Sequence, residues 1–531
     1  MNPQSTTLLN YHQRTKHTLQ RYAKGPETID WEDQPDQFRR FPGCQPVPLP
    51  APGQDLPVRF ADLDQPQNIP AQALSITSIG LLLELAFGLS AWKQYGPSRW
   101  ALRCNPSSGN LHPTEAYLIA SDNHIVPAGV YHYLSHDHLL EQRACFVDTT
   151  TESAVFIGLS SVHWREAWKY GERAFRYCQH DIGHAVAALR YAAACLGWSI
   201  DILFEAADAD LAALLGLVRH EDFKHNEQES PDVLCRIQIS GQAAISYQHL
   251  FALSASATWF GKAESLKAYH LYHWPIIDEA AAAAHKPETQ ESPWQAALQP
   301  PLPTACGKTT SQIIRQRRSA QQFDGKMPDL PAADFYRMLS AVMPDAPAFG
   351  CWQTAPKVHL FVFVHRVAGL TPGLYVLLRD TASLAALQSA TANAFDWQKQ
   401  HESLPFYHLH SGDLKQIAKT LSCHQPIASD SAFSLGMVAE FSTTVQAAPW
   451  QYRRLFWECG FIGQVLYLEA EAAGVRGTGI GCYFDDSVHE ILGITDDTWQ
   501  SLYHFTIGKP LEDSRLQTLP PYSHLEAYVT A

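Results

Sequence analysis

The chain has 531 residues, 46% hydrophobic and 17% charged, which predicts a well-packed protein of two domains, each of about 200 residues. A formal net charge of −14 excludes a general nucleic-acid binder but leaves room for a local basic pocket holding a phosphate. The eleven cysteines include no CxxC pair and no zinc-like spacing. With an amino terminus lacking a signal-type apolar core, they predict reduced thiols and a cytoplasmic location. Apolar runs such as 79-IGLLLELAFGLSAW-92 are too short to span a membrane.

In chain order, residues 1–60 turn from polar to proline-rich (Pro42, Pro46, Pro48, Pro50, Pro52, Pro57). That composition predicts an extended arm wrapped over a domain. Residues 71–95 carry apolar positions at helical spacing, and two strands follow, ending near Ala120 and covering 130-VYHYL-134. The segment 172-ERAFRYCQHDIGHAVAALRYAAACLG-197 is Ala-rich, amphipathic and ends on Gly197, which predicts a long helix. Residues 256–305 form the linker, with the proline-rich stretch 285–306 as its clearest part. The domains are then 61–255 and 306–531.

The second half repeats the first. Gly183, Gly197 and Gly216 meet Gly460, Gly474 and Gly493 at one displacement of 277 residues, with Leu189 opposite Leu466. Ala192 falls opposite Glu469, which predicts a solvent-facing position. The stretch 128-AGVYHYL-134 matches 372-PGLYVLL-378 at a displacement of 244, placing 33 inserted residues within 380–440. Three glycines at one spacing predict an internal duplication, packed as an intrachain pseudo-dimer and compatible with a higher oligomer.

Two stretches carry the chemistry. In 312-QIIRQRRSAQQFDG-325, Arg315, Arg317 and Arg318 precede Ser319, a set able to hold a phosphate by charge-assisted hydrogen bonds. Taken alone, this is also how a solvated basic helix end reads. In 105-NPSSGNLHPTEAYLIA-120, a small polar loop runs into an apolar strand. Together they resemble the two signature motifs of the flavin-dependent nitroreductase family, in which one subunit of a dimer supplies the first and its partner the second. The resemblance implies FMN as cofactor, bound by Arg317, Arg318, Ser319 and Gln321 from one half and Pro106, Ser107, Ser108 and Asn110 from the other. The segment 474-GVRGTGIGCYFDDSVHEILGI-494 resembles the family's glycine-rich stretch beside the flavin and adds Gly479, Ile480, Gly481 and Cys482. Arg515, in 511-LEDSRLQTLP-520, resembles its carboxy-terminal phosphate-binding arginine. Gln321 stands where the family usually has a cation, which implies less stabilisation of anionic reduced flavin. The family further implies an α+β fold, each half a mainly antiparallel sheet flanked by helices.

The halves are unequal. Displaced by 244, the residues Pro106, Ser107, Ser108 and Asn110 land on Gly350, Cys351, Trp352 and Thr354, so the second half lacks the PSSxN loop. No Arg or Lys lies between Arg59 and Lys93, and the segment after Gly197 has lost its glycines. The resemblance therefore implies that the parts of only one flavin site are kept.

The stretch 168-WKYGERAFRYCQHDIGH-184 resembles SagB-type dehydrogenases, the nitroreductase branch that oxidises azolines. That resemblance implies Lys169 and Tyr170 as proton-transfer residues. The residues themselves are equally compatible with a surface Lys and a packed Tyr at a helix start. His270 and His273 lack a third ligand, and no metal is expected. The implied functions are FMN-dependent oxidation of a small or peptide-derived substrate, NAD(P)H-dependent reduction of nitro compounds or quinones, or a non-catalytic flavin-binding scaffold. No nucleic-acid or membrane partner is expected.

Overall fold

Two antiparallel sheets of the same strand order form the frame of the protein, and each supplies one wall of a shared helical core. The computed structural model describes residues 2–122, 124–147, 154–224, 226–239, 246–267, 271–291 and 293–525. The first sheet runs Gln45–Pro48, Leu139–Cys145, Gly129–Leu134, Thr114–Ala120, Val155–Ser161, Ser230–Gln238, Ser199–Ile202, with Thr258–Trp259 added beside Leu139–Cys145. The second runs Gln398–Lys399, Phe406–Ser411, Gly373–Leu377, Val358–Val364, Phe433–Glu440, Trp499–Gly508, Arg476–Ile480. The central strands Thr114–Ala120 and Val358–Val364 stand at the 244-residue displacement, and both are buried along their whole length. Such continuous apolar runs belong to strands covered on both faces.

The long helices keep the other displacement. Ala174–Cys195 and Gln451–Ala472 have 22 residues each and start 277 apart. They cross at Gly183 and Gly460, where the contact is reciprocal. A Cβ on Gly183 would lie 2.1 Å from the Trp457 carbonyl oxygen, and one on Gly460 would lie 2.1 Å from that of His180. Trp457 and His180 are themselves 277 residues apart. Glycine is required here because two backbones occupy the space a side chain would need.

Further elements tie the halves together. The carboxy-terminal strand Gln517–Leu519 pairs with Leu89–Tyr95, which pairs with Ser98–Arg103. Asp485, at the start of helix Asp485–Leu492, accepts from Arg176 at 2.8 Å, from Arg173 at 3.0 Å and from the His17 amide at 3.0 Å. Burial alone would raise its carboxyl, but the two guanidiniums hold it below the usual carboxylate range.

Several expectations need correction. The amino-terminal arm opens with a helix, Pro3–Arg14, capped by the Asn2 side chain. The prolines lie beyond it, and from Thr15 to Arg59 the arm has only short regular pieces. Residues 71–95 split into the helix Ile76–Phe87 and the strand Leu89–Tyr95 around Gly88. The linker holds a helix, Pro275–Ala283, besides its irregular proline-rich part. Glu469 does not face solvent: it is 3% exposed and paired with Arg337 at 2.9 Å. His270 lies outside the described residues, and His273 sits half-exposed, 3.9 Å from Asp278. Among the described residues no helix is long and apolar enough to cross a membrane.

Candidate active site

A cavity of about 410 Å³ opens where the halves meet, and motifs distant in sequence line it. The first half supplies the loop 105–110 together with Tyr170, Tyr177 and Asp181. The second supplies residues 317–321 and the strand–turn 478–482. Pro106, Ser107, Ser108, Asn110, Tyr170, Arg317, Arg318, Ser319, Gln321, Gly479, Ile480, Gly481 and Cys482 all reach the same cleft.

Local chemistry shapes each wall. The Ser107 hydroxyl accepts the His112 amide at 2.8 Å, and Gly109, at φ +60°, turns the loop tightly. A Cβ on Gly109 would lie 2.5 Å from the Tyr170 hydroxyl and 3.2 Å from the Lys169 ammonium, so the loop rests on these two residues. Lys169 sits over the rings of Trp31 and Tyr170, at 5.4 and 5.3 Å, and Tyr170 itself lines the cleft. Burial lowers the Lys169 ammonium, partly opposed by Glu166. On the other wall the Ser319 hydroxyl meets Tyr467 at 2.8 Å, and the same Tyr467 hydroxyl accepts the Gly479 amide at 2.9 Å. A Cβ on Gly479 would lie 1.8 Å from the Tyr503 hydroxyl, and one on Gly481 would lie 2.3 Å from the Tyr177 ring. These positions exclude larger residues.

The charge in the cleft is the more informative feature. Arg317, 3% exposed, donates to the carbonyls of Cys104 at 3.0 Å and Arg103 at 2.8 Å. Arg318 donates to the carbonyls of Arg315, Arg317 and Ser90. Among the described residues neither forms an ion pair. Burial, then Arg317 and Arg476, push Arg318 down to about 10, while burial lowers Lys93 with Arg318 and Arg476 adding to it. Cations lowered by burial and by neighbouring guanidiniums beside a cleft favour an anionic occupant. Arg515 is not brought to this group. It is exposed and clamped to Asp513 at 2.7 Å. Lys93 stands in the cleft instead, beside Arg476, which is paired with Glu471 at 3.2 Å and with Glu512. Neither was marked by the sequence, although Arg476 lies within the glycine-rich segment.

A second missed feature is the buried pair Glu166 and Asp181 beneath the loop. Asp181 accepts from the Ser108 amide at 3.2 Å and its hydroxyl at 3.4 Å, and Ser107 reaches Glu166 at 3.5 Å. Burial raises both carboxyls, and Asp181 raises Glu166 further, so the pair holds a proton near neutral pH. A raised carboxyl costs stability as pH climbs from the ordinary carboxylate range, about 4, towards neutrality, because the unfolded chain has released a proton that the folded one keeps. Asp181→Asn retains the acceptor for Ser108 and removes this cost. The variant is expected to gain on the wild type in denaturant midpoint between pH 5 and pH 8. An equal difference at both pH values would contradict the assignment.

A second cavity, also about 410 Å³, lies near the corresponding residues of the other half, but its contents differ. Trp352 replaces Ser108, Arg454 replaces Tyr177 and Glu458 replaces Asp181 at the two displacements. Phe204, at the place of Gly481, packs against Trp352 with ring centroids 5.4 Å apart. The lining cations are paired, Arg454 with Glu291 of the linker at 2.5 Å and Lys357 with Glu440 at 2.7 Å. Two cavities of equal volume therefore differ in uncompensated charge.

Residues 314–509 match the model of the nitroreductase family. A crystal structure from Anabaena variabilis, itself assigned as a nitroreductase by inference, aligns with 95% of this chain and 99% of its own at a TM-score of 0.68 and 18% identity. The match to the nitroreductase family model is thus confined to the second half, and the whole chain shares the fold of the Anabaena variabilis structure. The E. coli microcin synthetase McbBCD, with truncated pro-MccB17 bound, covers 45% of this chain and 94% of its own at 16% identity and a TM-score of 0.26. A protein of Exiguobacterium sibiricum crystallised with FMN, also assigned as a nitroreductase by inference, covers 40% and 92% at 13% identity and a TM-score of 0.23. No curated protein matches the chain.

Proposed function

We propose that the chain is a tandem fusion of two nitroreductase-like units, an intrachain pseudo-dimer that binds one FMN between its halves and acts as an oxidoreductase. The observation carrying this reading is the pair Arg317 and Arg318, which form no ion pair among the described residues, in a cleft that also receives the PSSGN loop of the other half. The chemistry of the donor set fits FMN. Arg317, Arg318 and Lys93 answer a phosphate dianion, and the exposed Ser319 and Gln321 offer neutral hydrogen bonds. The reciprocal glycine contact and the common strand order support the pseudo-dimer.

When bound, FMN supplies a two-electron centre that accepts or gives hydride at N5. The chain's own residues orient the substrate and handle its proton. Tyr170 lines the cleft with its hydroxyl beside Gly109 of the loop, and Lys169, lowered by burial, stands behind it as a base. This placement favours a SagB-type dehydrogenase acting on a small or peptide-derived substrate over an NAD(P)H-dependent nitro or quinone reductase. The visible spectrum of purified protein, with chromatography of the released chromophore, tests the cofactor. Lys169→Gln and Tyr170→Phe are expected to retain flavin and lose about 10²-fold or more of substrate oxidation. Full turnover by both variants would remove the catalytic assignment, and rapid NAD(P)H oxidation with a nitroaromatic would favour the reductase.

A further inference from the structure

Cys482 follows Gly481 in the cleft wall, and Cys423 comes from the segment inserted into the second half. Their sulfurs lie 2.8 Å apart, closer than van der Waals contact between two thiols. The approach is held by the local backbone. Cys423 and the next residue, His424, both adopt positive φ, 52° and 59°, a costly pair of conformations for residues other than glycine. Two hydrogen bonds pin this turn to the cleft segment: the Phe484 amide donates to the Leu421 carbonyl at 2.8 Å, and the Gln425 amide side chain donates to the Cys482 carbonyl at 3.2 Å.

The surroundings distinguish the two sulfurs. The His17 imidazole lies against Cys482; its Nδ1 accepts the Ala23 amide at 2.8 Å, leaving Nε2 to donate. Arg173 donates to the Gly481 carbonyl at 3.1 Å and adds positive charge. Contact with Cys423, opposed by burial and reinforced by His17, lowers the Cys482 thiol well into the thiolate range, whereas Cys423 is raised. One sulfur is the ready nucleophile and its neighbour can resolve the product. Both are half-exposed. Cys44, also half-exposed, shows the contrast: burial pushes its thiol up to about 11 despite the neighbouring Arg143, and its sulfur donates to the Phe260 carbonyl.

We propose that Cys423 and Cys482 are a redox couple that exchanges with low-molecular-weight disulfides, closing a reversible covalent bridge between the inserted segment and the cleft wall. The Cys482 thiolate attacks one sulfur of R–S–S–R, forming a mixed disulfide and expelling one RS⁻. Cys423 gives its proton to solvent and attacks the Cys482 sulfur, forming the intrachain bond and expelling the second RS⁻. Two protein thiols are oxidised and one small disulfide is reduced to two thiols. Excess small thiol reverses both steps.

The test treats the full-length protein with oxidised glutathione, then counts thiols after denaturation and maps peptides without reduction. The expected result is a loss of two of the eleven thiols, found as one Cys423–Cys482 linked peptide pair and restored by reduced glutathione. Cys423→Ser is expected to stop at a glutathione adduct on Cys482. Recovery of both wild-type residues as free thiols, or as separate glutathione adducts, would overturn the proposal. So would assignment of the lost thiols to any other pair.

Discussion

Gly183→Ala and Gly460→Ala are each expected to leave the protein insoluble or grossly destabilised. The added methyl at either position would lie 2.1 Å from a carbonyl oxygen of the opposing helix, and the next atoms are also backbone, at 2.8–2.9 Å for Gly183 and 3.0 Å for Gly460. No side-chain rotamer can relieve such a contact, so the helices must separate. Both are buried along nearly their whole length, and separation would open the core between the sheets. Overpacking that side chains can absorb costs about 1–3 kcal/mol, so a backbone clash should exceed about 3 kcal/mol. Gly307→Ala, where a Cβ meets nothing within 4 Å, supplies the control and should stay within about 0.5 kcal/mol. Chemical denaturation of the three variants decides the matter. Wild-type stability in either helix variant would mean that the halves do not depend on this crossing.

The second large effect concerns the cofactor. The double variant Arg317→Ala, Arg318→Ala is expected to purify without flavin. A hydrogen bond to a charged group contributes about 1.5–3 kcal/mol, so losing two weakens binding by about 3–6 kcal/mol, or roughly 10²- to 10⁴-fold. Arg317 also secures the carbonyls of Arg103 and Cys104, so circular dichroism should accompany the spectrum to separate loss of fold from loss of site. Arg515→Ala is the informative companion. Its guanidinium is exposed and committed to Asp513, and this variant should keep its colour. A flavin-loaded double variant, or a colourless Arg515 variant, would move the phosphate away from the place assigned to it.

What could be read from the chain was what depends on spacing. The helix pair 174–195 and 451–472 and the strand pair 114–120 and 358–364 were legible because glycines and apolar runs repeat at fixed displacements. The cleft motifs were legible because their small and cationic residues are contiguous. Features set by contacts in three dimensions, whether distant or near in sequence, were not. Glu469 looked solvent-facing beside Ala192, but its partner Arg337 lies 132 residues away. Arg515 sat in a suggestive local context, and only the structure shows it held by Asp513, two residues before it. Lys93 joins the cleft because the carboxy-terminal strand pairs with its own strand, a crossing no local pattern encodes. The proline count of the arm likewise masked a helix that precedes the prolines.

The composite site predicts a number, which makes it directly testable. Apoprotein titrated with FMN, followed by flavin fluorescence at protein concentrations well above the dissociation constant, should saturate at one equivalent per chain. Ser107→Leu in the first half should impair loading as severely as Ser319→Leu in the second, because each half holds one side of the cleft. The second cavity should take none, since Trp352 and Phe204 stand where Ser108 and Gly481 would be and its cations are already paired. Saturation at two equivalents, or at one with the Ser107 variant unaffected, would contradict a single site shared between the halves.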